Sequence, residues 1–229
     1  MPAPPRTLDD LLRRASGLAG LTLGQIAALH EVEVPPDLRR QKGWVGQLLE
    51  TCLGTTAGNA PRPDFLELGV ELKTLPMDRH GKPRESTYVA RVPLTQCHEQ
   101  TWERSAVRQK LRCVLWVPIH AAAGLPLAER LVGQAFLWEP TAAEERLLRD
   151  DWEAHLARIR RGEVDSISAR DGEVLQIRPK AANRHESTWA EGDLEEVIRT
   201  GPRGFYLRTR FTAALVRRYF FGDPPERAR

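Results

Sequence analysis

The residues best suited to chemistry lie in the stretch P-D-F-L-E-L-G-V-E-L-K-T-L, residues 63–75. Val70, Leu72 and Thr74 alternate with Glu71, Lys73 and Leu75, a period-two pattern that predicts a strand with Glu71 and Lys73 on one face. Asp64 lies seven residues before Glu71, and Gly69 between them lets the backbone turn, so a second carboxylate can be brought beside the first. Two carboxylates are the hard oxygen ligands that Mg²⁺ takes, with waters and a substrate phosphate completing its shell. A lysine beside them can orient an attacking water and offset the negative charge that builds up on a phosphate under attack. The chemistry implied is hydrolysis of a phosphodiester. An acid followed by E-x-K also fits a solvated strand face with an ion pair, and the bare pattern does not choose between the two.

The elements that must position these residues can be read around them. Residues 43–53, G-W-V-G-Q-L-L-E-T-C-L, form an apolar helix ended by Gly54, and Glu50 is its one charge. A carboxylate in so apolar a helix must be paired, protonated or bound to a cation, so Glu50 is either a third site acid or a salt-bridging residue at the helix edge. A Pro35-Pro36 break and the basic run Arg39, Arg40, Gln41, Lys42 precede it. That run suits either a phosphate or a solvated helix start. Further upstream, helices are expected over 7–19, capped by Thr7, and over 22–30. Downstream, 86–92 reads as a strand and 101–111 as a helix, with four basic residues and no acid from Arg104 to Arg112. The apolar runs 113–119 and 131–138 read as buried strands, and Thr141 with Glu144 forms a capping box for a long helix reaching about Arg161.

A second cluster lies in the last third. In V-L-Q-I-R-P-K-A, residues 174–181, strand alternation sends Gln176, Arg178 and Lys180 to one face, and Pro179 keeps the segment from being an interior strand, leaving an edge or a loop. An edge presenting Arg and Lys can enter a DNA major groove, or can simply be guarded by charge. Six arginines from Arg199 to Arg218 fall in a span without an acid, around Gly204, Phe205 and Tyr206. That is the composition of a nucleic-acid surface, while Phe211, Leu215, Tyr219 and Phe220 are expected to pack a closing helix.

Composition bounds the rest. The 229 residues carry a net charge of +3, which permits an acidic polymer as partner without requiring one. Cys52, Cys97 and Cys113 are odd in number and form no C-x-x-C pair, so neither a disulfide framework nor a zinc site is indicated. A reducing, cytoplasmic compartment is expected, with no segment that enters a membrane.

With these residues assembled, the chain resembles the MutH family of methyl-directed mismatch-repair endonucleases, within the PD-(D/E)XK nuclease superfamily. The resemblance runs nearly the full length. It rests on K-G-W-V-G-Q-L-L-E from Lys42 to Glu50, P-D with G-V-E-L-K-T from Pro63 to Thr74, V-L-W-V-P from Val114, L-Q-I-R-P-K-A-A-N from Leu175, and P-R-G-F-Y-L from Pro202. It implies an α/β, restriction-endonuclease-like fold: a mixed sheet flanked by helices, in two lobes around a DNA cleft. The whole chain would form one nuclease domain, with residues 1–6 and 222–229 as flexible ends. The metal-binding carboxylates would be Glu50, Asp64 and Glu71, the catalytic lysine Lys73, and a further active-site lysine Lys110. Lys42, Arg178, Pro179 and Lys180 would contact DNA at G-A-T-C sites, and Tyr206 would sense adenine methylation. The implied reaction is a Mg²⁺-dependent nick 5′ of the guanine on the unmethylated strand of a hemimethylated site. It would be carried out by a monomer, stimulated by MutL after MutS has found a mismatch. The segment 184–200 matches no part of the pattern.

Two rivals share most of these features. A restriction endonuclease of the same fold would cut both strands of G-A-T-C, and a catalytically silent DNA-binding protein would keep the fold alone. Clustered acids facing phosphate add nothing to a mere binding surface, which argues against the second.

Overall fold

A computed structural model describes residues 2–38, 41–55, 62–180, 186–191 and 197–222. Outside the described residues lie Arg39 and Arg40 of the basic run, residues 181–183 of the motif beginning at Leu175, residues 184, 185 and 192–196 of the unmatched segment, and residues 223–229. In chain order the first half gives helices α1 (Leu8–Gly17), α2 (Leu23–Leu29) and α3 (Trp44–Leu53), strands β1 (Glu71–Met77) and β2 (Thr87–Arg91), and helix α4 (Ala106–Leu111). The second half gives β3 (Val114–His120), β4 (Phe136–Trp138), α5 (Ala142–Arg160), β5 (Leu175–Pro179), β6 (Thr188–Glu191), β7 (Val197–Thr200), β8 (Arg203–Leu207) and α6 (Thr209–Phe221). The fold is a mixture of helices and short sheets, and the chain divides into two compact units: Met1–Glu85 with Arg112–Glu139, and Ser86–Leu111 with Pro140–Arg229.

In the first unit β3 is the centre of a three-stranded sheet in the order β1-β3-β4, parallel to β1 and antiparallel to β4. Its run V-L-W-V-P-I is buried throughout, as the apolar pattern predicts. Leu11, Ile26, Leu48, Leu49 and Leu53 from α1, α2 and α3 share one core with Val70, Leu72, Leu115 and Val117. Each such side chain contributes about 1.5–3 kcal/mol by leaving water. Thr7 caps α1 by accepting the Asp10 N–H at 3.1 Å, and Thr22 with Gln25 forms a capping box on α2. Gly54 ends α3 at φ 78°, where a Cβ would also lie 3.0 Å from the carbonyls of Pro2 and Ala3.

The strand expected over 131–138 is shorter than its apolar run. Only 136–138 join the ladder, while Leu131 and Val132 form isolated bridges to Thr22 and Ile119. The reason is Pro118, which has no N–H to continue the pairing and whose side chain lies 3.1 Å from the place a Cβ on Gly133 would take.

In the second unit β8 is the central strand of an antiparallel sheet in the order β2-β8-β5, and β6 pairs with β7 as a separate two-stranded ribbon. Thr141 and Glu144 cap α5 reciprocally, as their spacing predicts. One face of α5 carries Leu148, Trp152, Leu156 and Ile159 into the core. The same helix fixes the start of β5. The Asp151 carboxylate accepts the N–H groups of Glu173, Val174 and Leu175 at 2.7, 2.7 and 2.8 Å, and a His155 ring nitrogen lies 3.1 Å from the Leu175 carbonyl.

Two expectations for this unit are corrected. The helix over 101–111 is two pieces, a 3₁₀ turn at Trp102–Arg104 and then α4, because Ser105 is extended at ψ 143° and its hydroxyl accepts the Arg108 N–H at 3.1 Å. Trp102 anchors the first piece edge-on to Trp152, with ring centroids 5.9 Å apart. The closing helix α6 buries Phe211, Thr212, Leu215 and Val216, but Tyr219 and Phe220 are 50% and 41% exposed and stack edge-on against each other instead of entering the core.

Burial of His155 pushes its imidazole below the ordinary value of 6.5. The unfolded chain therefore takes up a proton that the native ring resists, so the stability held above pH 6.5 is lost as pH falls through the native value. Thermal unfolding of wild type should show this decline, and His155→Gln, which can still donate to the Leu175 carbonyl, should lack that part of it.

Candidate catalytic centre and nucleic-acid face

The first group of functional residues is assembled by a tight turn. The Phe65 N–H donates to the Val70 carbonyl at 2.9 Å and the Val70 N–H to the Phe65 carbonyl at 3.3 Å, closing a loop of six residues. Gly69 sits in it at φ 65°, a left-handed conformation that costs a side-chain-bearing residue about 1–2 kcal/mol. The turn folds Asp64 back onto the start of β1, where its Oδ2 accepts the Leu72 N–H at 2.8 Å. Glu71 and Lys73 flank that amide. They point to the same side of the strand, and the Lys73 Nζ lies 2.5 Å from Glu71 Oε1.

Burial distinguishes this group from a solvated ion pair. The Glu71 side chain is 1% exposed and Lys73 14%, and Asp64 is buried as well. A carboxylate taken this far from water is costly unless paired, and removing its partner typically costs about 3–5 kcal/mol. The pair therefore sits where each charge acts strongly on the other and on any third charge brought beside them. Glu50 is half-buried on α3, which packs against β1, and its Oε1 folds back over Gly46 one turn earlier. Among the described residues no three acids, histidines or cysteines close into a ready metal-binding group. The structure thus unites Asp64, Glu71 and Lys73, while Glu50 stands on the neighbouring helix. Lys42 is exposed immediately before α3. Lys110 is a half-buried residue of α4, in the second unit.

The second group lies on β2, β8 and β5. Gln176 pairs with Tyr206 and Arg178 with Gly204 across β5 and β8, so these side chains share a face, as alternation predicts. Pro179 is exposed and ends β5, which is an edge strand as the proline requires. The opposite face, with Leu175, Ile177, Phe205 and Leu207, is buried. The Arg178 guanidinium carbon lies 5.8 Å from the centre of the Tyr206 ring, and Lys180 Nζ lies 4.2 Å from that of Tyr88. Tyr88 and Tyr206 meet edge-on with centroids 5.4 Å apart, over Gly204, where a Cβ would lie 3.0 Å from both rings. Two half-buried tyrosines and two exposed cations thus form one platform.

Sequence reasoning missed Tyr88. Its position opposite Tyr206 depends on the pairing of β2 with β8, which joins segments more than a hundred residues apart and leaves no local signal. The acid-free arginine span is corrected in the other direction, because most of those side chains are held by the fold. Arg203 is paired with Asp165 at 2.7 Å, Arg208 donates to the carbonyls of Arg170, Asp171 and Gly172, Arg210 to that of Glu173, and Arg218 pairs with Glu144 at 3.0 Å. Arg199 lies over the Trp189 ring at 5.0 Å. The basic stretch 104–112 likewise gains an acid from α5. Arg108 binds Glu145 at 2.8 Å and holds its carboxyl below the ordinary range.

A buried carboxylate–lysine pair on a strand, a second acid turned onto the same strand, and a face of cations and tyrosines are groups whose chemistry suits a phosphate polymer. Comparison with known proteins makes the assignment specific. The sequence model of the family described as DNA mismatch repair enzyme MutH matches residues 53–151. The DNA mismatch repair protein MutH of Shewanella amazonensis is 52% identical over 219 residues, 96% of this chain and 98% of the relative. That of Klebsiella pneumoniae subsp. pneumoniae is 52% identical over 218 residues, covering 95% and 94%, and that of Vibrio cholerae 51% over 220 residues, covering 96% and 100%. The chain belongs to the MutH family of DNA mismatch repair proteins.

Asp64 has a structural task. Asp64→Ala leaves the buried Leu72 N–H without its carboxylate acceptor and should lower unfolding free energy by about 1–3 kcal/mol, measured by urea titration. Asp64→Asn keeps a side-chain oxygen there and should recover most of that stability while lacking the charge.

Proposed function

We propose that this protein is a Mg²⁺-dependent endonuclease that nicks the unmethylated strand of hemimethylated G-A-T-C sites during mismatch repair. The observation that carries the reading is the buried Glu71–Lys73 pair with Asp64 turned onto the same strand. The donor chemistry fits the metal, since Mg²⁺ takes one or two carboxylates with water and phosphate oxygens completing the shell. Asp64 and Glu71 would hold it, with Glu50 on α3 as the third acid. When bound, the ion would supply positive charge to the scissile phosphate and lower the pKa of a coordinated water.

The remaining tasks fall to the chain. Lys73, held against Glu71, orients the attacking water and offsets charge as the water oxygen bonds to phosphorus and the bond to a deoxyribose oxygen breaks. Lys110 serves as a further active-site lysine. Lys42 contacts the backbone, and Arg178, Pro179 and Lys180 approach the base edges. Tyr206 meets the adenine edge, where a methyl group on the exocyclic nitrogen would displace the ring. The partners are duplex DNA, MutL, and MutS acting through MutL. The enzyme works as a cytoplasmic monomer.

The test is cleavage of unmethylated, hemimethylated and fully methylated G-A-T-C duplexes with Mg²⁺, with and without MutL. Nicking confined to unmethylated strands and increased by MutL is expected. Cutting of both strands indifferent to MutL would favour a restriction enzyme, and binding without cleavage a silent protein. Glu71→Ala and Lys73→Ala should each lower the cleavage rate by about 10²-fold or more while still binding DNA. Tyr206→Ala and Lys180→Ala should narrow the ratio of cleavage between unmethylated and methylated strands. An unchanged ratio would remove both from the readout.

A further inference from the structure

The pairing of β2 with β8 is interrupted by a β-bulge. Tyr88 pairs with Tyr206, but the next partners are Ala90 with Phe205 and Arg91 with Gly204, so Val89 is the extra residue. In a regular strand, Tyr88 and Ala90 would share one face and Val89 and Arg91 the other, which here is the core. The bulge changes this. Val89 and Ala90 are both buried, at 0% and 5% exposure, and Arg91 emerges exposed on the side of Tyr88. Its partner Gly204 confirms the face, because a Cβ on Gly204 would point at the Tyr88 and Tyr206 rings. Bulges commonly re-aim a side chain in this way beside functional sites.

Arg91 is therefore a cation of the tyrosine platform. Across Gly204 it stands opposite Arg178, two strand spacings away, about 10 Å at the backbone. Tyr206 stands on the central strand, with Arg178 on β5 to one side and Arg91 on β2 to the other, and Lys180 Nζ lies over the Tyr88 ring. Unlike Arg203, Arg208, Arg210 and Arg218, the Arg91 side chain has no hydrogen-bonding or ionic partner among the described residues. Its charge faces solvent.

We infer that Arg91 binds a backbone phosphate of the duplex lying on the tyrosine platform, and that the bulge at Val89 is what aims it there. This rests on the reading of the chain as a DNA-cleaving protein and adds to it a contact that carries no base preference. A phosphate contact has a signature that distinguishes it from base readout and from a charge that merely guards the edge strand β2. Each one releases condensed counterion and adds about 0.9 to the slope of log affinity against log salt.

The experiment is titration of a G-A-T-C duplex and of a scrambled duplex with the full chain, without divalent metal, from about 50 to 200 mM salt. Arg91→Ala should weaken binding to both duplexes alike and lower the slope by about 0.9, so that its deficit shrinks about 3.5-fold across that range. Arg91→Lys should restore the slope, Arg91→Gln should not, and unfolding temperatures should stay at the wild-type value. A wild-type slope in Arg91→Ala, with wild-type binding intact, would overturn the phosphate contact alone. A wild-type chain that binds neither duplex would overturn the DNA reading with it.

Discussion

The burial of one negative charge governs the first unit. Glu71 opens β1 with its side chain 1% exposed, and its N–H is already committed to the Cys113 carbonyl at 2.9 Å. A carboxylate in that position must be answered by a cation, and the strand supplies one two residues later, on the same face, at no cost in new structure. The rest follows from holding the pair in place. Parallel pairing with β3 fixes the strand, the Gly69 turn delivers Asp64 to the amide between the two charged residues, and α3 closes the side. A charge held this firmly is poorly suited to stability alone, since an apolar pair would serve as well or better.

The second unit solves a different problem, the presentation of polar rings and cations on one face of a sheet whose other face is core. Its devices are local irregularities. Gly204 lets two rings lie over a strand, Pro179 ends an edge, and a bulge turns an arginine outward. Regular strands would have placed Arg91 in the core, where it could not stay charged without a partner.

How much of this could be read from the sequence depended on the range of the interactions concerned. Glu71, Lys73 and Gly69 were legible because alternation and a single turn are properties of neighbouring residues, as were the Thr7 and Thr141 caps. The edge position of β5 was legible from Pro179. Tyr88, the bulge and the neutralised arginines were not, because their partners come from distant segments. Arg208 and Arg210 look like a nucleic-acid surface in composition, yet they serve backbone carbonyls of residues 170–173, and nothing within the span 199–218 announces that. The break at Ser105 was hidden for a similar reason. Ser105 makes the break with its extended backbone and its hydroxyl on the Arg108 N–H, but the contact that anchors the piece before it, Trp102 on Trp152, comes from a distant segment.

The chain order of the strands also orders assembly during synthesis. The first unit is complete once Glu139 has been made, and β1 has only to wait for β3, some forty residues later, to gain its neighbour. Strand β2 waits far longer, because its partner β8 begins at Arg203, more than a hundred residues beyond it. While the ribosome makes α5 and β5, the segment bearing Tyr88 and Arg91 has no native strand to pair with. Such long-range pairing is slow and exposes unpaired edges on the way. The tyrosine platform is thus completed late, well after the segment that bears the buried acids, with only α6 still to follow it.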